Sequence, residues 1–388
     1  MTGTLRILLS AGINLDNFYE EKELAKDPFG NLNNLLDIFD QKNCDFCALL
    51  GDLFVRPNPS NSAMASALTC FRNKVVDEEA AGNGRDSGFE TKGSFKVNYK
   101  HSGLNIKIPV FAIHGQKDGP SKESIVSPIE ILSQSNYVNY VGKVKKGDIL
   151  KVKPILFKKE QTKIAVYFLS HIKEATLSKL LFQKKIKFLE PEEEGYMKIL
   201  MINQKRSKDT QKHQAYPTLD IHPHQLPQIF DLIVWAGCEL IKGAGLDSMG
   251  TTRASNGGDS DLGVKILNIE NLSIDKIRSR DLRERCAVVL SITEGKIFVQ
   301  KVPLMSTRPF IVMRINSEFI DVDNHHQESL KTEEQIERQV IQRLGLYYQK
   351  DGKARKPILR VIIKLRTKNY LRLKSLEEKF KGLVANFG

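Results

Sequence analysis

Cysteine is scarce in this chain of 388 residues, which contains five of them. Five scattered cysteines provide no disulfide framework. Cys44 and Cys47 have a CxxC spacing, but no second pair exists that would complete a four-ligand zinc site. With Asp45 and Phe46 between them, the two thiols are better explained as the start of a buried strand. The cysteines therefore predict neither a disulfide-stabilised nor a zinc-stabilised fold.

Long apolar runs are also missing. No stretch reaches the length of about 20 residues that a membrane-spanning helix needs. Met1 to Ser10 are too few for the apolar core of a secretory signal. We therefore expect an intracellular soluble protein with no membrane partner. A hydrophobic content of 41% at this length is enough for a large core and a second domain.

Positive charge is abundant, and it is unevenly distributed. The net charge is +13, and Lys331 to Gly388 hold 15 Lys and Arg against 6 Asp and Glu, which contributes +9 of it. Such a segment favours a polyanion through counterion release, with an affinity that falls as salt rises. The alternative is that the basic surface serves solubility alone.

Short apolar runs that each end in a polar or glycine-containing turn recur along the chain. They are Arg6 to Ser10, Phe46 to Leu50, Ile108 to His114, Lys198 to Ile202 and Asp231 to Trp235. Continuous apolar strands suit a buried sheet, and the loops that follow such strands gather along one edge of it. The pattern predicts an α/β fold whose functional site lies at that edge.

Further segments carry a specific resemblance. They are LLGDLF at Leu49 to Phe54, and the runs Leu104 to Phe111, Thr162 to Tyr167, Asn203 to Lys208 and Asp231 to Trp235. These segments occur in the same order as in the calcineurin-like metallophosphoesterases, and the sequence resembles that family over nearly the whole chain. Within them it is most similar to the nuclease subunit of the MRN double-strand-break repair complex, the meiotic recombination eleven family, whose bacterial relative is SbcD. The resemblance implies a metallophosphoesterase-like β-sandwich flanked by helices, with a small α+β capping domain.

At the positions where this family holds two manganese ions, the chain departs from the family's pattern. Gly12 and Asn14 stand where the first loop of the family has a metal-binding Asp and His. Asp52 keeps the bridging carboxylate of the second loop. In the third loop, Gln116 and Lys117 replace a metal-binding Asn and the His that protonates the leaving group.

The fourth and fifth loops also lack their histidines, because Asn203, Gly237 and Glu239 stand at those positions. Two-metal catalysis needs imidazoles and carboxylates that hold two cations about 4 Å apart. Glycine has no donor atom, and amide oxygens bind Mn²⁺ or Zn²⁺ poorly compared with imidazole. We therefore expect a catalytically inactive relative of a metal-dependent DNA nuclease, with no bound metal cofactor.

One alternative keeps catalysis. An active Mn-dependent 3′-5′ exonuclease or endonuclease would need a rebuilt site, drawn from Asp52, Glu239, Cys238, His114, Asn14 and Asn203. His114 is better explained as a packed strand histidine. His222 and His224, two apart around Pro223, could clip a metal, but a surface turn explains them equally well.

Lys117 gives the altered pocket a different chemistry. A lysine is a poor proton donor at neutral pH but a good point-charge partner for phosphate. We hypothesise that it turns a phosphate-cleaving pocket into a phosphate-holding one. The alternative is a solvated lysine, or one paired with Asp52 or Asp118. The resemblance adds Lys205, Arg206 and Lys208 as further DNA-binding residues.

The chain divides into two predicted domains, a phosphoesterase-like domain at 1–303 and a capping, DNA-binding domain at 304–388. The second contains a predicted strand at Phe310 to Ile315 and a polar loop with His325 and His326. A helix from Thr332 to Tyr348, a strand at Ile358 to Leu365 and a helix near Ser375 to Leu383 follow. This unit resembles the family's capping domain, which lies over the site and touches DNA.

Two predicted helices, Ser60 to Val76 and Lys122 to Gln134, lie where the family builds a homodimer from a four-helix bundle. Their apolar faces supply the predicted dimer residues, which are Met64, Leu68, Phe71, Ile125, Ile129 and Leu132. The alternative is that these faces pack on the domain's own core.

The resemblance also implies further partners and a nuclear location. Asp77 to Thr91 is a polar loop where eukaryotic members meet a forkhead-associated subunit. The sequence ends at Gly388 without an apolar helix pair for gripping an SMC-like ATPase, which leaves that partner open. Our preferred interpretation is a nuclease-inactive dimeric scaffold that binds DNA ends. The others are the rebuilt nuclease and a protein–protein adaptor that has abandoned DNA.

Overall fold

The structure is a computed structural model that describes residues 3–77, 88–93, 95–100, 104–121, 124–143, 149–206, 220–237, 264–277, 284–316, 325–351, 355–364 and 373–386. It divides into two units. Unit 1 contains Met1–Asp16, Pro28–Ser273 and Arg285–Met305, and unit 2 contains Asn17–Asp27, Ile274–Glu284 and Ser306–Gly388. Two short segments of the predicted first domain, Asn17–Asp27 and Ile274–Glu284, thus belong to unit 2. The predicted boundary between 303 and 304 stays a prediction.

The first sheet of unit 1 has six strands in the spatial order β14-β13-β1-β2-β4-β5. These are β1 (Leu5–Ser10), β2 (Phe46–Leu50), β4 (Val110–Ile113), β5 (Asn139–Tyr140), β13 (Cys286–Thr293) and β14 (Lys296–Pro303). The four strands from β1 to β5 run parallel, and β13 and β14 are antiparallel additions at one edge.

The second sheet also has six strands, in the order β12-β11-β10-β8-β7-β3. These are β3 (Glu90–Lys92), β7 (Ile155–Lys159), β8 (Thr162–Leu169), β10 (Met197–Asn203), β11 (Leu232–Ala236) and β12 (Lys265–Asn268). The strands β8, β10, β11 and β12 are parallel. A separate parallel pair, β6 (Leu150–Val152) and β9 (Ile186–Phe188), lies outside this sheet.

The two sheets pack face to face through a shared apolar cluster. Phe46, Phe111 and Phe157 are at its centre, and the rings of Phe46 and Phe157 stack at 4.5 Å. Central strands such as β2 are buried along their whole length, which explains why they are continuous apolar runs. The predicted β-sandwich flanked by helices is therefore confirmed by this arrangement.

Helices cover the outer face of each sheet. The first sheet packs against α1 (Asp27–Gln41), α2 (Asn61–Val75) and α3 (Pro128–Gln134), and the second packs against α4 (Glu174–Phe182) and the β6–β9 pair. The helix α3 begins later than predicted, because Ser127 caps it and Pro128 occupies its first turn. None of the helices in the described ranges is both long and apolar enough to cross a membrane.

Unit 2 contains the parallel pair β15 (Phe310–Asn316) and β16 (Ile358–Lys364) with α5 (His325–Asp351) and α6 (Leu373–Phe380). The predicted polar loop with His325 and His326 is wrong, because α5 begins at His325. Ile336, Val340 and Leu344 form the buried face of α5, as the helical spacing predicts. Arg308 joins segments of the unit, since its Nε donates to Asp27 at 2.6 Å and its other nitrogens donate to the carbonyls of Glu23 and Lys356.

Candidate functional site

The loops that follow β1, β2, β4, β10 and β11 meet at one edge of unit 1, as their parallel strand directions require. The amide of Gly12 donates to the carbonyl of Gly51 at 3.0 Å, and that of Asn14 donates to the carbonyl of Asp52 at 3.0 Å. The side-chain nitrogen of Asn203 donates to the carbonyl of Leu50 at 2.6 Å, which joins the second sheet to the first. The structure thus places the predicted loop residues together.

Asp52 lies at the centre of this edge, 6% exposed and with a φ of 53°. Its Oδ1 accepts the backbone N–H of Lys117 at 2.9 Å. A Cβ atom at Gly115 would lie 2.2 Å from the same oxygen, so only glycine allows the third loop to approach the carboxylate this closely. The retained carboxylate therefore stabilises the loop that carries Lys117.

A second carboxylate, Asp118, is fully buried behind Asp52. It accepts backbone N–H groups from Gly115 at 2.7 Å, from Phe54 at 3.2 Å and from Asp52 at 3.3 Å. Burial, and next the negative charge of Asp52, raise the pKa of Asp118 to about 7. Asp118 holds the second and third loops together through their backbones.

Lys117 and Asn14 are joined across the site. Nζ of Lys117 donates to Oδ1 of Asn14 at 2.8 Å, and Nδ2 of Asn14 donates to the carbonyl of Gly12 at 3.0 Å. Asn14 is fully buried, while Lys117 is half-buried. Both ends of the Asn14 amide are therefore used within the protein, and a cation already lies beside its oxygen.

At two positions that are predicted to have lost a metal ligand, Gly12 and Gly237, neighbouring side chains fill the space. A Cβ atom at Gly12 would lie 2.2 Å from Oδ1 and 2.7 Å from Cβ of Asn271. A Cβ atom at Gly237 would lie 2.7 Å from Oδ1 of Asn203. Gly12 and Gly237 also have positive φ values of 58° and 81°, which favour glycine. An acidic or imidazole side chain at either position requires its neighbours to move.

These contacts do not suit a pair of manganese ions. Asn14 presents its oxygen to an ammonium group, and Asn203 uses its nitrogen to bind Leu50. Within the described ranges, no group of three or more His, Cys, Asp or Glu side chains is arranged to hold a metal ion. Cys238 and Glu239, on which the rebuilt site depends, lie outside the described residues.

His114 lies next to the third loop but points away from this chemistry. Its Nδ1 is 2.6 Å from the Tyr140 hydroxyl, and its Nε2 is 3.1 Å from the carbonyl of His171. A carbonyl only accepts, so Nε2 carries the proton and Nδ1 accepts from the hydroxyl. Burial lowers the pKa of His114 to about 4. This is a packed, neutral histidine.

Two of the other predicted DNA-binding residues are already engaged with the protein. Lys205 forms an ion pair with Asp220 at 3.1 Å. Arg206 donates to Asn268 at 3.3 Å and lies over the ring of Trp235. Gln116 is exposed, and Lys208 lies outside the described residues. Lys117 contacts another predicted site residue, Asn14.

The predicted dimer residues stay a prediction, and most of them are covered by the core of unit 1. Phe71, Ile129 and Leu132 are fully buried in the core of unit 1, and Met64 and Leu68 are half-buried against it. Among the six, only Ile125 is exposed, at 85%. The apolar spacing of a helix does not say which partner covers its face, and here the sheet covers it. Val126 and Ile131 are the exposed apolar side chains near Ile125.

Sequence reasoning missed Asn271. This residue follows β12, and the next residues pair with the first loop, since the amide of Leu272 donates to the carbonyl of Ala11 at 2.8 Å. The apolar text of β12 followed by polar residues is the same signal that located the other loops. It was weaker here because only Ile266 and Leu267 in the strand are apolar.

Comparison with known proteins gives consistent relatives. No family model matches the chain. It is 28% identical to the double-strand break repair protein MRE11 of Arabidopsis thaliana over 99% of its own length and 53% of that protein's. For MRE11 of Encephalitozoon cuniculi the identity is 27%, over 98% of this chain and 67% of that protein. The chain thus spans about half the length of the first curated relatives it matches.

Among solved structures, the chain is similar to the calcineurin-like phosphoesterase YfkN of Bacillus subtilis. The TM-score is 0.39 with 11% identity, over 78% of this chain and 92% of that one. Over nearly its whole length, this chain is a sequence relative of the MRE11 double-strand break repair proteins.

Proposed function

We propose that the chain is a subunit of a DNA double-strand-break repair assembly, in which it binds DNA ends as a dimeric scaffold without cleaving them. Its curated relatives are named as double-strand break repair proteins. The chain spans about half of their length. Assigning the activity and partners of those proteins to this chain is therefore part of the proposal.

The observation that carries the proposal is the bond from Lys117 to Asn14. The ammonium group lies 2.8 Å from an oxygen that a metal would need, and the site's retained carboxylate binds the backbone of the same lysine. A metal ion entering there would meet an adjacent positive charge and displace an existing hydrogen bond. A phosphate would instead be attracted to that charge.

The decisive experiment combines metal content with cleavage. The protein is purified in manganese, its metal content is measured by mass spectrometry, and a single-turnover assay on end-labelled duplex DNA is run with the wild type and with Asp52→Asn. We expect no stoichiometric metal and no cleavage. About two metals per chain with cleavage that Asp52→Asn abolishes would instead support the rebuilt nuclease.

DNA binding is tested separately, by the anisotropy of a labelled blunt duplex at near-physiological salt. The proposal expects an affinity that falls steeply as salt rises. If the protein fails to bind duplex ends, the scaffold function is rejected and the adaptor interpretation replaces it.

The finer features of this function are proposals of the same kind. We propose a homodimer whose interface includes the exposed Ile125, a nuclear location, and no manganese cofactor. The partnerships with an SMC-like ATPase and with a forkhead-associated subunit remain predictions from the resemblance. Co-purification of the chain with either partner would test each of them directly.

A further inference from the structure

Four lysines share the outer face of the β6–β9 pair. In this parallel pair Lys151 lies directly opposite Lys187. Lys153 lies two residues after Lys151, and Lys185 lies two residues before Lys187. Side chains two apart in extended backbone point to the same face. All four are exposed. We call Lys151, Lys153, Lys185 and Lys187 the outer lysine face.

The opposite face of the same pair is apolar and buried. Leu150, Val152 and Ile186 belong to the cluster between the second sheet and its outer layer. The amide of Leu150 donates to the carbonyl of Lys185 at 2.7 Å, which extends the pairing by one residue. The lysines are thus held on a fixed backbone, with their positions set by the register.

This arrangement is unfavourable without a partner. Like charges directly opposite each other across a strand pair destabilise it. Within the described residues, none of the four lysines is in an ion pair, whereas Lys143, Lys159 and Lys163 are. Residues 149–159 and 175–188 each contain four lysines and no acidic residue. The outer lysine face is therefore a concentrated positive surface.

An aromatic side chain lies at the end of the helix that leads into β9. Phe182 is 72% exposed and is the last residue of α4. The turn after it is fixed, because the amides of Lys184 and Lys185 donate to the carbonyls of Leu181 and Leu180 at 3.0 and 2.8 Å. Lysines and an exposed ring thus follow one another on an ordered piece of backbone.

We infer that the outer lysine face and Phe182 bind a single strand of nucleic acid. Lysines on a groove or strand track the phosphates, and an exposed aromatic ring stacks on a base whatever its identity. A lipid surface would require more apolar insertion than the exposed side chains of Phe182 and Ile149 supply. This site lies on the outer face of the second sheet, so it is separate from the pocket at the strand ends.

The test uses Lys151→Glu with Lys153→Glu. The first change replaces the Lys151–Lys187 repulsion by an attraction, so the fold should be at least as stable as in the wild type. The matched control is Lys296→Glu with Lys301→Glu, which makes the same charge change at exposed positions of β14. Binding of a labelled oligothymidylate is measured by anisotropy over a series of salt concentrations.

We call the protein with Lys151→Glu and Lys153→Glu the patch variant. We expect it to bind the oligothymidylate at least tenfold more weakly than the wild type, and the control to bind within about twofold of the wild type. Neutralising the two lysines instead, as Gln, should lower the salt slope by ~1.4, since each single-strand phosphate contact contributes ~0.7. Phe182→Ala should weaken binding about tenfold without changing the slope. An abasic strand of equal length should not respond to Phe182→Ala.

Equal binding by wild type and patch variant overturns the inference, and so does a loss that the control shares. If the patch variant keeps its DNA affinity but loses binding to phosphatidylserine vesicles, the surface is a lipid site instead. Binding of blunt duplex ends by the same variants is measured in parallel. Loss of single-strand binding alone, with duplex-end binding retained, separates this site from the proposed scaffold function.

Discussion

Nζ of Lys117 lies 2.8 Å from Oδ1 of Asn14, and the backbone N–H of the same lysine lies 2.9 Å from Oδ1 of Asp52. The side chain of Lys117 in the third loop thereby places a positive charge beside Asn14 of the first loop. The backbone of the same lysine is hydrogen-bonded to Asp52 of the second loop. In a two-metal site, cations would occupy this region and Asn14 and Asp52 would be free to bind them. Here one lysine makes both contacts.

The first prediction concerns that lysine. Lys117→Ala should weaken binding of a blunt DNA duplex and should lower the salt slope by about 0.9, which is the loss of one phosphate contact in a duplex. The measurement is anisotropy of a labelled duplex over a salt series.

Lys107→Ala is the matched control for this variant. Lys107 pairs with Asp40 at 2.7 Å and precedes β4, the strand that Lys117 follows, so the same charge is removed at the far end of one strand. Identical slopes for wild type and Lys117→Ala would show that this lysine is a structural cation and does not hold phosphate.

The second prediction concerns Gly12. Gly12→Ala should reduce the free energy of unfolding by about 2–5 kcal/mol, because the backbone has a φ of 58° and the new Cβ meets Asn271. Trp235, the single tryptophan, is fully buried in unit 1, so its fluorescence in a urea titration reports on this unit.

Gly295→Ala separates the two causes. Gly295 has a φ of 78°, but nothing lies within 4 Å of its added Cβ, so only the backbone cost of about 1–2 kcal/mol applies. Combining Gly12→Ala with Asn271→Ala should recover part of the loss. Equal costs at the two glycines would mean that Asn271 does not fill the position.

The third prediction concerns His114 and pH. Its folded pKa is lowered to about 4, whereas an unfolded histidine titrates near 6.5. Between these values the unfolded state binds the extra proton, so this group makes the protein less stable as pH falls from about 6.5 to about 4. The full effect is about 3 kcal/mol.

The comparison that isolates this effect is wild type against His114→Asn. Loss of the Tyr140 contact lowers the stability of the variant by a constant amount, so only the change with pH is informative. The stability advantage of the wild type should shrink by about 3 kcal/mol between pH 6.5 and pH 4. A constant advantage would mean that His114 titrates normally.

The sequence was sufficient for the strands and for the loops that meet at the site. Strands such as β2 and β11 are buried on both faces, so they appear as continuous apolar runs, and the polar residues that follow them mark the edge. Parallel direction then brings the loops together without any knowledge of side-chain contacts. This is why Asn14, Asp52 and Lys117 could be grouped in advance.

Contacts between distant segments were beyond the sequence. Nothing at Gly12 indicates that Asn271 fills the space beside it, because that contact joins residues 259 positions apart along the chain. The covered faces of α2 and α3 are a similar case. Helical spacing showed that Phe71 and Leu132 would be buried, but it did not distinguish the domain's own core from a second copy.

The last prediction follows from the burial of most of the predicted dimer residues. Ile125 is 85% exposed, and Val126 and Ile131 are 46% and 44% exposed, so these side chains, rather than the buried ones, are available to a second copy. Ile125→Asp should raise the dimer dissociation constant at least tenfold in sedimentation equilibrium, because burying an unpaired carboxylate in an apolar interface is costly. Phe298→Asp is the matched control, since Phe298 is 52% exposed on β14 and should leave association unchanged.

Fully monomeric wild type at micromolar concentration would remove the dimer from the proposed function. Dimers that both variants leave intact would place the interface away from Ile125, and the scaffold function would then be decided by the duplex-end test.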